Sequence, residues 1–441
     1  MDYSFDDLMY WDDKIWDLAI NKYKLDPYPI EYEAIDYYEM IGSMAHHGMP
    51  SMYNHWSFGK SFERTHQMYN LGQEGLPYEL IINSNPSIAY LMRENALPLQ
   101  ILIMAHCVGH SDFFKNNRMF KDTRPEGVIQ RFRSAKKRIH SYVEDPTIGI
   151  DEVEKTIDAC HAIQFQTTKH GLRRRTQEEI REEKLAALKK AKLNNDKAMA
   201  SKIEKELEQS PLEADYDILG FISENGKLPD WKKDIIEIIR DEGQYFWPQI
   251  QTKIMNEGWA SYWHYTICHD LELPSELHLP IIKSHNQVIR PHIGSINPYH
   301  LGFHMFQRIK ETKGIEECFI ARDSCHDGAF IRQYLDAELC SELNLFSYSK
   351  KKAGVIIDDV SDEEGWENIR NDLAKSVGGG SIPVVFVQNL GKNGELLICH
   401  EHDGRDLDVE HAKNVVYHIQ NLWGHNVKML AQVNNEFVSI D

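Results

Sequence analysis

The strongest constraint on this chain lies in the stretch 99–114. Its residues, LQILIMAHCVGHSDFF, are apolar on nearly every side, yet they carry two imidazoles four positions apart, His106 and His110. The run is shorter than the ~18 consecutive apolar residues that a bilayer span needs, and it breaks at His106. It therefore reads as a helix buried on all sides inside a core. Positions i and i+4 of a helix share one face, so both rings converge on a single point. Two such rings in a core are either hydrogen-bonded structural residues or half of a metal site. The spacing resembles the H-E-x-x-H pattern of zinc peptidases, but Cys107 stands where that pattern has its general-base glutamate.

A second segment favours the metal reading. Met255-Asn256-Glu257-Gly258-Trp259-Ala260 runs on into Ser261-Tyr262-Trp263-His264. A glutamate from a separate helix is the usual third ligand when two histidines come from one helix, and His264 follows Glu257 by two turns on the same face. His106, His110, Glu257 and His264 as a set suit Zn²⁺ or, with open positions, Fe²⁺ or Mn²⁺. His264 reads as a fourth ligand or as a partner behind the first ones. With no glutamate at 107, a metal-bound water needs another proton acceptor, and Glu242, Tyr262 and His264 are the candidates. His285, His292, His300 and His304, with Asn286 and Arg290, fall in or next to a polar Pro- and Gly-containing segment (284–300). They bind an anionic group, line the site, or are ordinary surface or loop residues. His46, His47 and His55 near the loop GMPSMYNHWSFG (48–59) either line the site or are structural.

The rest of the chain sorts by period. Residues 1–170 read mainly as helix, with an apolar repeat near 3.6 over Ile30–Met44, a short strand at Tyr78–Asn83, and helices at Ile88–Leu97 and Leu99–Phe114. Residues 171–212 are rich in helix formers and in charges of both signs, which predicts an exposed helical hairpin or a docking arm. A helix from Asp230 meets Pro248, which should break or kink it before another long helix over Gln249–His269. After residue 342 the period becomes that of strands, in the order β-β-α-β-β-α-β-β. The fold class expected is thus mainly α, with a helical metallopeptidase-like core over 1–340 and a small α+β domain over 342–441. Gly378-Gly379-Gly380 precedes a strand and reads as a turn, not a phosphate loop.

Charge narrows the function classes. Lys and Arg number 49 against 68 Asp and Glu, a net charge of −19. That balance argues against a general nucleic-acid binder and against polybasic membrane attachment. The acidic N-terminus MDYSFDDLMYWDDKIWDLA has no signal-peptide pattern, and seven cysteines without regular spacing read as reduced thiols. A cytoplasmic protein is the expectation, and peptidoglycan hydrolysis at the wall is disfavoured.

At GMPSMYNHWSFGKSFE (48–63), YELIINSNPSIAYLM (78–92), MAHCVGHSDFFKNN (104–117), YFWPQIQTKIMNEGWASYWHY (245–265), SHNQVIRP (284–291) and INPYHLGFHMF (296–306) the chain resembles the SpoVR family, stage V sporulation protein R and its relatives in non-sporulating bacteria. The resemblance spans most of residues 1–340, and the family usually has a further part where the α+β segment lies. It implies a cytoplasmic bacterial protein. In spore formers it implies a link to making the spore cortex; elsewhere it implies stress or stationary-phase signalling beside a PrkA-type serine protein kinase and a YeaH/YhbH-type protein. Two functional readings stand together. One is a metal-dependent hydrolase lacking the usual H-E-x-x-H glutamate. The other is a non-catalytic scaffold or regulator that partners the kinase.

Overall fold

The computed structural model describes residues 3–71, 79–166, 175–292, 295–351, 354–360 and 365–441. Arg173 and Arg174, the start of the charged insert, and Tyr78 lie outside these. By its internal contacts the chain forms two units, Met1–Lys136 with Pro248–Ser381 and Lys137–Trp247 with Ile382–Asp441. As expected, the protein is mainly helical with a small C-terminal sheet.

The first unit is organised around the Leu97–Asn116 helix, in which every residue from Gln100 to Phe114 is buried. Pro98 sits in its first turn, where a missing N–H costs nothing. The helix Lys253–Asp270 packs along it and is covered in turn by the helix Pro298–Lys313. A three-stranded sheet touches the buried helix from another side. Its strands are β1 (Ile30–Ile35), β2 (Glu79–Ile82) and β3 (Ser87–Met92), in the order β1-β3-β2. β1 runs parallel to β3, with Ile30 opposite Ser87 and Ile35 opposite Met92, while β2 is antiparallel to β3.

This sheet corrects two expected helices. Ile30–Met44 is a strand followed by the short helix Tyr37–Ala45, and the helix expected at Ile88–Leu97 is β3. Short apolar runs fit either period, and the pairing that decides them is non-local. The junction after β1 is nonetheless written locally. Asp36 accepts the N–H of Glu39, and Glu39 accepts that of Asp36, a capping box that starts the helix there.

Pro248 lies inside the helix Asp230–Gln251, and the break falls at Thr252, with φ −126° and ψ 19°. The next helix therefore starts at Lys253, and its first turn is clamped by a buried carboxylate. Asp327 accepts the N–H groups of Ile254 and Met255, each at 2.9 Å. Burial raises its pKa to about 7 despite these two bonds. Asp112, fully buried, accepts the Trp259 indole N–H at 2.8 Å and the Arg322 guanidinium at 2.6 Å. Strands β4 (Phe346–Lys351) and β5 (Gly354–Val360) form a separate antiparallel pair beside the helix Trp366–Ser376.

The second unit carries a four-stranded sheet, β6 (Val384–Leu390), β7 (Leu396–Glu401), β8 (Val427–Val433) and β9 (Glu436–Ile440), in that order. The crossover helix Val409–Trp423 joins the parallel pair β7 and β8. Asn434 and Asn435, both at positive φ, make the tight β8–β9 turn. The charged insert is the expected helical hairpin, Gln177–Leu193 with Lys197–Leu207. Its thin apolar stripe buries Ile180, Ala191, Ala200 and Ile203, and the pairs Lys184–Glu206 (2.8 Å) and Lys192–Glu204 (2.7 Å) lace the two helices. Among the described residues no helix is long and apolar enough to cross a membrane.

Candidate metal centre

Two close helix contacts bring the candidate side chains together. A Cβ on Gly109 would stand 2.7 Å from the Cα of Ala260, so the histidine helix and the Glu257 helix touch backbone to backbone. A Cβ on Gly258 would lie 2.4 Å from the Cα of Gly302, and this second contact sets the Pro298–Lys313 helix against Glu257. Only residues without a side chain there allow either approach.

At this junction His106 and His110 meet, their Nε2 atoms 3.0 Å apart. Glu257 Oε2 lies 3.4 Å from His110 Nε2 and 3.8 Å from His106 Nε2. Glu79, from β2, reaches the same nitrogen of His106 with Oε1 at 3.7 Å. Glu79, His106 and His110 form a group of metal-ligating atoms all within 4.8 Å of one another. The Tyr299 ring stacks on His106 with centroids 6.0 Å apart, and burial, with Glu257 adding to it, raises its hydroxyl well above the usual range.

Electrostatics separate the four groups. Burial would raise the Glu257 carboxyl, but His106 and His110 outweigh it and hold the group well below the usual carboxylate range. Burial pushes Glu79 up to about 8, with Glu257 adding to it and His110 opposing. His106 is lowered to about 4 by burial and by His110. For His110 burial lowers the pKa, but Glu257 and Asn256 turn the net shift upward. The cluster thus favours a neutral His106 beside a charged Glu257.

His264 stands behind His106, not beside it. Its Nδ1 is 2.8 Å from His106 Nδ1, the nitrogen turned away from the carboxylates. Tyr262 faces the opposite side of its helix, among Trp259, Trp263 and Phe306, where burial raises its hydroxyl to about 12. Glu242 is buried on the Asp230–Gln251 helix, in the second unit. Of the other histidines, His285 is on the helix Ser275–Val288, not in a loop, and its Nδ1 is 2.8 Å from His264 Nε2. His300 Nδ1 donates to the Ile289 carbonyl at 2.8 Å, with the His304 ring 4.7 Å away, while His292, Asn286 and Arg290 are exposed. His46 bonds the Gly42 carbonyl, and His55 caps the helix Trp56–Asn70. Glu79 and Tyr299 escape a reading from sequence. Glu79 is a lone acid opening a four-residue strand, and nothing in its neighbourhood marks it.

A family model described as SpoVR like protein matches residues 2–382, and one described as SpoVR-like C-terminal domain matches residues 381–434. An uncharacterized protein of Escherichia coli (strain K12), YcgB, is 33% identical over 471 residues, covering 95% of this chain and 91% of that protein. No solved structure matches.

Proposed function

The chain belongs to the SpoVR family, and from that premise we propose that its first unit holds one divalent metal ion, zinc by preference, through His106, His110 and Glu257, with Glu79 at the fourth position. One observation carries the reading. Glu257 Oε2 is buried and, among the described residues, has no hydrogen-bond partner, yet it faces two imidazole nitrogens at 3.4 and 3.8 Å. These are too long for good hydrogen bonds. They suit donors sharing an ion, because metal–ligand bonds of ~2.0–2.2 Å set tetrahedral neighbours about 3.4 Å apart. The spacings of 3.0, 3.4, 3.7 and 3.8 Å lie around that value.

A bound divalent ion would polarise a carbonyl and acidify a water, which is the chemistry of amide or ester hydrolysis. The protein's part is to orient and to handle protons. Asn256 Oδ1 accepts from His110 Nδ1 at 2.9 Å and fixes the ring that presents Nε2. Glu79 brings a second carboxylate, with a raised pKa, to the place that Cys107 cannot serve. In this reading the core is that of a zincin-like hydrolase without the H-E-x-x-H glutamate. The test is metal analysis of chelator-free protein, wild type against His106→Ala with Glu257→Ala. About one ion per chain in the wild type and none in the variant is the expected result. Equal, substoichiometric metal in both removes the proposal.

For its setting we propose a cytoplasmic role in cortex formation or in stress and stationary-phase pathways, with a PrkA-type serine protein kinase and a YeaH/YhbH-type protein as partners. The scaffold reading is favoured by one feature, the hairpin Gln177–Leu193/Lys197–Leu207, which exposes Leu185, Leu193 and Met199 to solvent. Replacing Leu193 and Met199 by Ser should abolish capture of the kinase in a pull-down while leaving metal content unchanged. Undiminished capture would rule out that surface.

A further inference from the structure

Four imidazoles form an unbroken line through the first unit, and only two of them face the carboxylates. From the inside outward, His110 Nδ1 is 2.9 Å from Asn256 Oδ1, and His110 Nε2 is 3.0 Å from His106 Nε2. His106 Nδ1 is 2.8 Å from His264 Nδ1, and His264 Nε2 is 2.8 Å from His285 Nδ1. All four residues are buried. His285 ends the line between the rings of Tyr265 and Phe303, at centroid distances of 4.8 and 5.0 Å.

A neutral imidazole carries one proton, so one end of the line fixes every donor in it. Asn256 Oδ1 accepts, so His110 holds its proton on Nδ1 and offers a lone pair at Nε2. His106 then donates from Nε2, His264 donates from Nδ1 to His106, and His285 donates from Nδ1 to His264. An ion at the carboxylates takes the lone pairs of His106 Nε2 and His110 Nε2. His106 must then carry its proton on Nδ1 and donate outward to His264, which donates from Nε2 to His285, leaving His285 protonated on Nε2.

We propose that His264 and His285 are positioning residues of the metal centre, and that loading the ion reverses the direction of every hydrogen bond from His106 to His285. The step balances. His106 gives up its Nε2 proton to solvent and receives one on Nδ1 from His264; His264 receives one on Nε2 from His285; His285 receives one on Nε2 from solvent, so one proton leaves and one enters. No ring changes charge. The outer nitrogen of His285 passes from acceptor to donor, so it reports whether the centre is occupied. This inference rests on the metal reading above and adds a second layer to it.

The experiment is ¹⁵N NMR of the full chain with ¹⁵N-labelled histidine, at pH 9 so that each ring carries one proton, without metal and with one equivalent of Zn²⁺. The His264 proton should move from Nδ1 to Nε2, and the His285 proton likewise. In His285→Phe, which keeps a ring between Tyr265 and Phe303, zinc should still bind but about tenfold more weakly. His264→Phe should weaken it by about 10- to 100-fold and leave the His285 tautomer insensitive to zinc. If zinc binds and His264 and His285 keep their tautomers, the inference falls and the metal reading stands. If no zinc binds to the wild type, both fall. Wild-type zinc affinity in both folded variants would also overturn the inference.

Discussion

Gly258→Ala sets two known effects against each other. In an isolated helix the change is favourable by about 1 kcal/mol, since alanine loses less backbone freedom than glycine. In this fold the new Cβ would stand 2.4 Å from both the Cα and the carbonyl carbon of Gly302, and 2.8 Å from its oxygen. Reaching an ordinary contact of about 3.4 Å needs roughly 1 Å of separation between two helices packed at native density. Overpacking on this scale costs about 1–3 kcal/mol, and the obstructing atoms are backbone, which cannot swing aside. A net loss of up to about 2 kcal/mol is expected from urea unfolding at pH 7.5, with an unchanged m-value. Gly59→Ala is the control. It lies exposed in the helix Trp56–Asn70 with nothing within 4 Å of a new Cβ. It should stabilise by about 0.5–1 kcal/mol. The same opening would carry Tyr299 away from Glu257, so zinc affinity should fall in Gly258→Ala and not in Gly59→Ala. If both variants are stabilised alike, the helix contact does not set the geometry of the centre.

Three further outcomes follow from the structure. Saturating Zn²⁺ should raise the stability of chelator-treated protein by about 2.7 kcal/mol at 100 times Kd, read as a shift in Tm, and Glu79→Gln should reduce that shift; an identical shift in the variant would take Glu79 out of the centre. In metal-free protein, burial and nearby histidines lower His285 to about 4 from 6.5. The unfolded chain therefore takes up its proton first on acidification, and stability is lost as the pH falls from about 6.5 to about 4, by at most about 3 kcal/mol for this group. Urea unfolding at pH 7.5 and 4.5 should show a smaller difference in His285→Gln than in wild type, and an equal difference refutes the assignment. Asp327→Ala leaves the buried N–H groups of Ile254 and Met255 without their acceptor, so it should cost about 1–3 kcal/mol by chemical unfolding, and a change below about 0.5 kcal/mol would show that the clamp is redundant.

Much of the centre was legible because its parts have helical spacing. His106 and His110 advertise a shared face, and Glu257 with His264 advertises another, so the two helices could be paired before any coordinates. What escaped lies where local pattern says little. In β1 and β3 six apolar-rich residues fit the helical period as well as the strand period, and their parallel pairing joins segments far apart in the chain. Glu79 is set in place by the antiparallel pairing of β2 with β3, where it stands opposite Leu91. Asn286, Arg290 and Pro291, close behind His285, give its segment the pattern of a polar loop, although the helix runs on to Val288. The role of His264 turned on which nitrogen of His106 it meets, and no spacing rule encodes that.

The close contacts at Gly109, Ala260, Gly258 and Gly302 bear on how the protein is made. Glu79, His106, Glu257 and Tyr299 come from segments that leave the ribosome far apart in time, and the contacts that align them need the helix beginning at Pro298. A nascent chain that ends before this helix holds Glu79, His106, His110 and Glu257 but lacks the Gly302 contact against Gly258. On the proposed reading, a metal ion would meet the full arrangement around Glu257 only after this helix has docked.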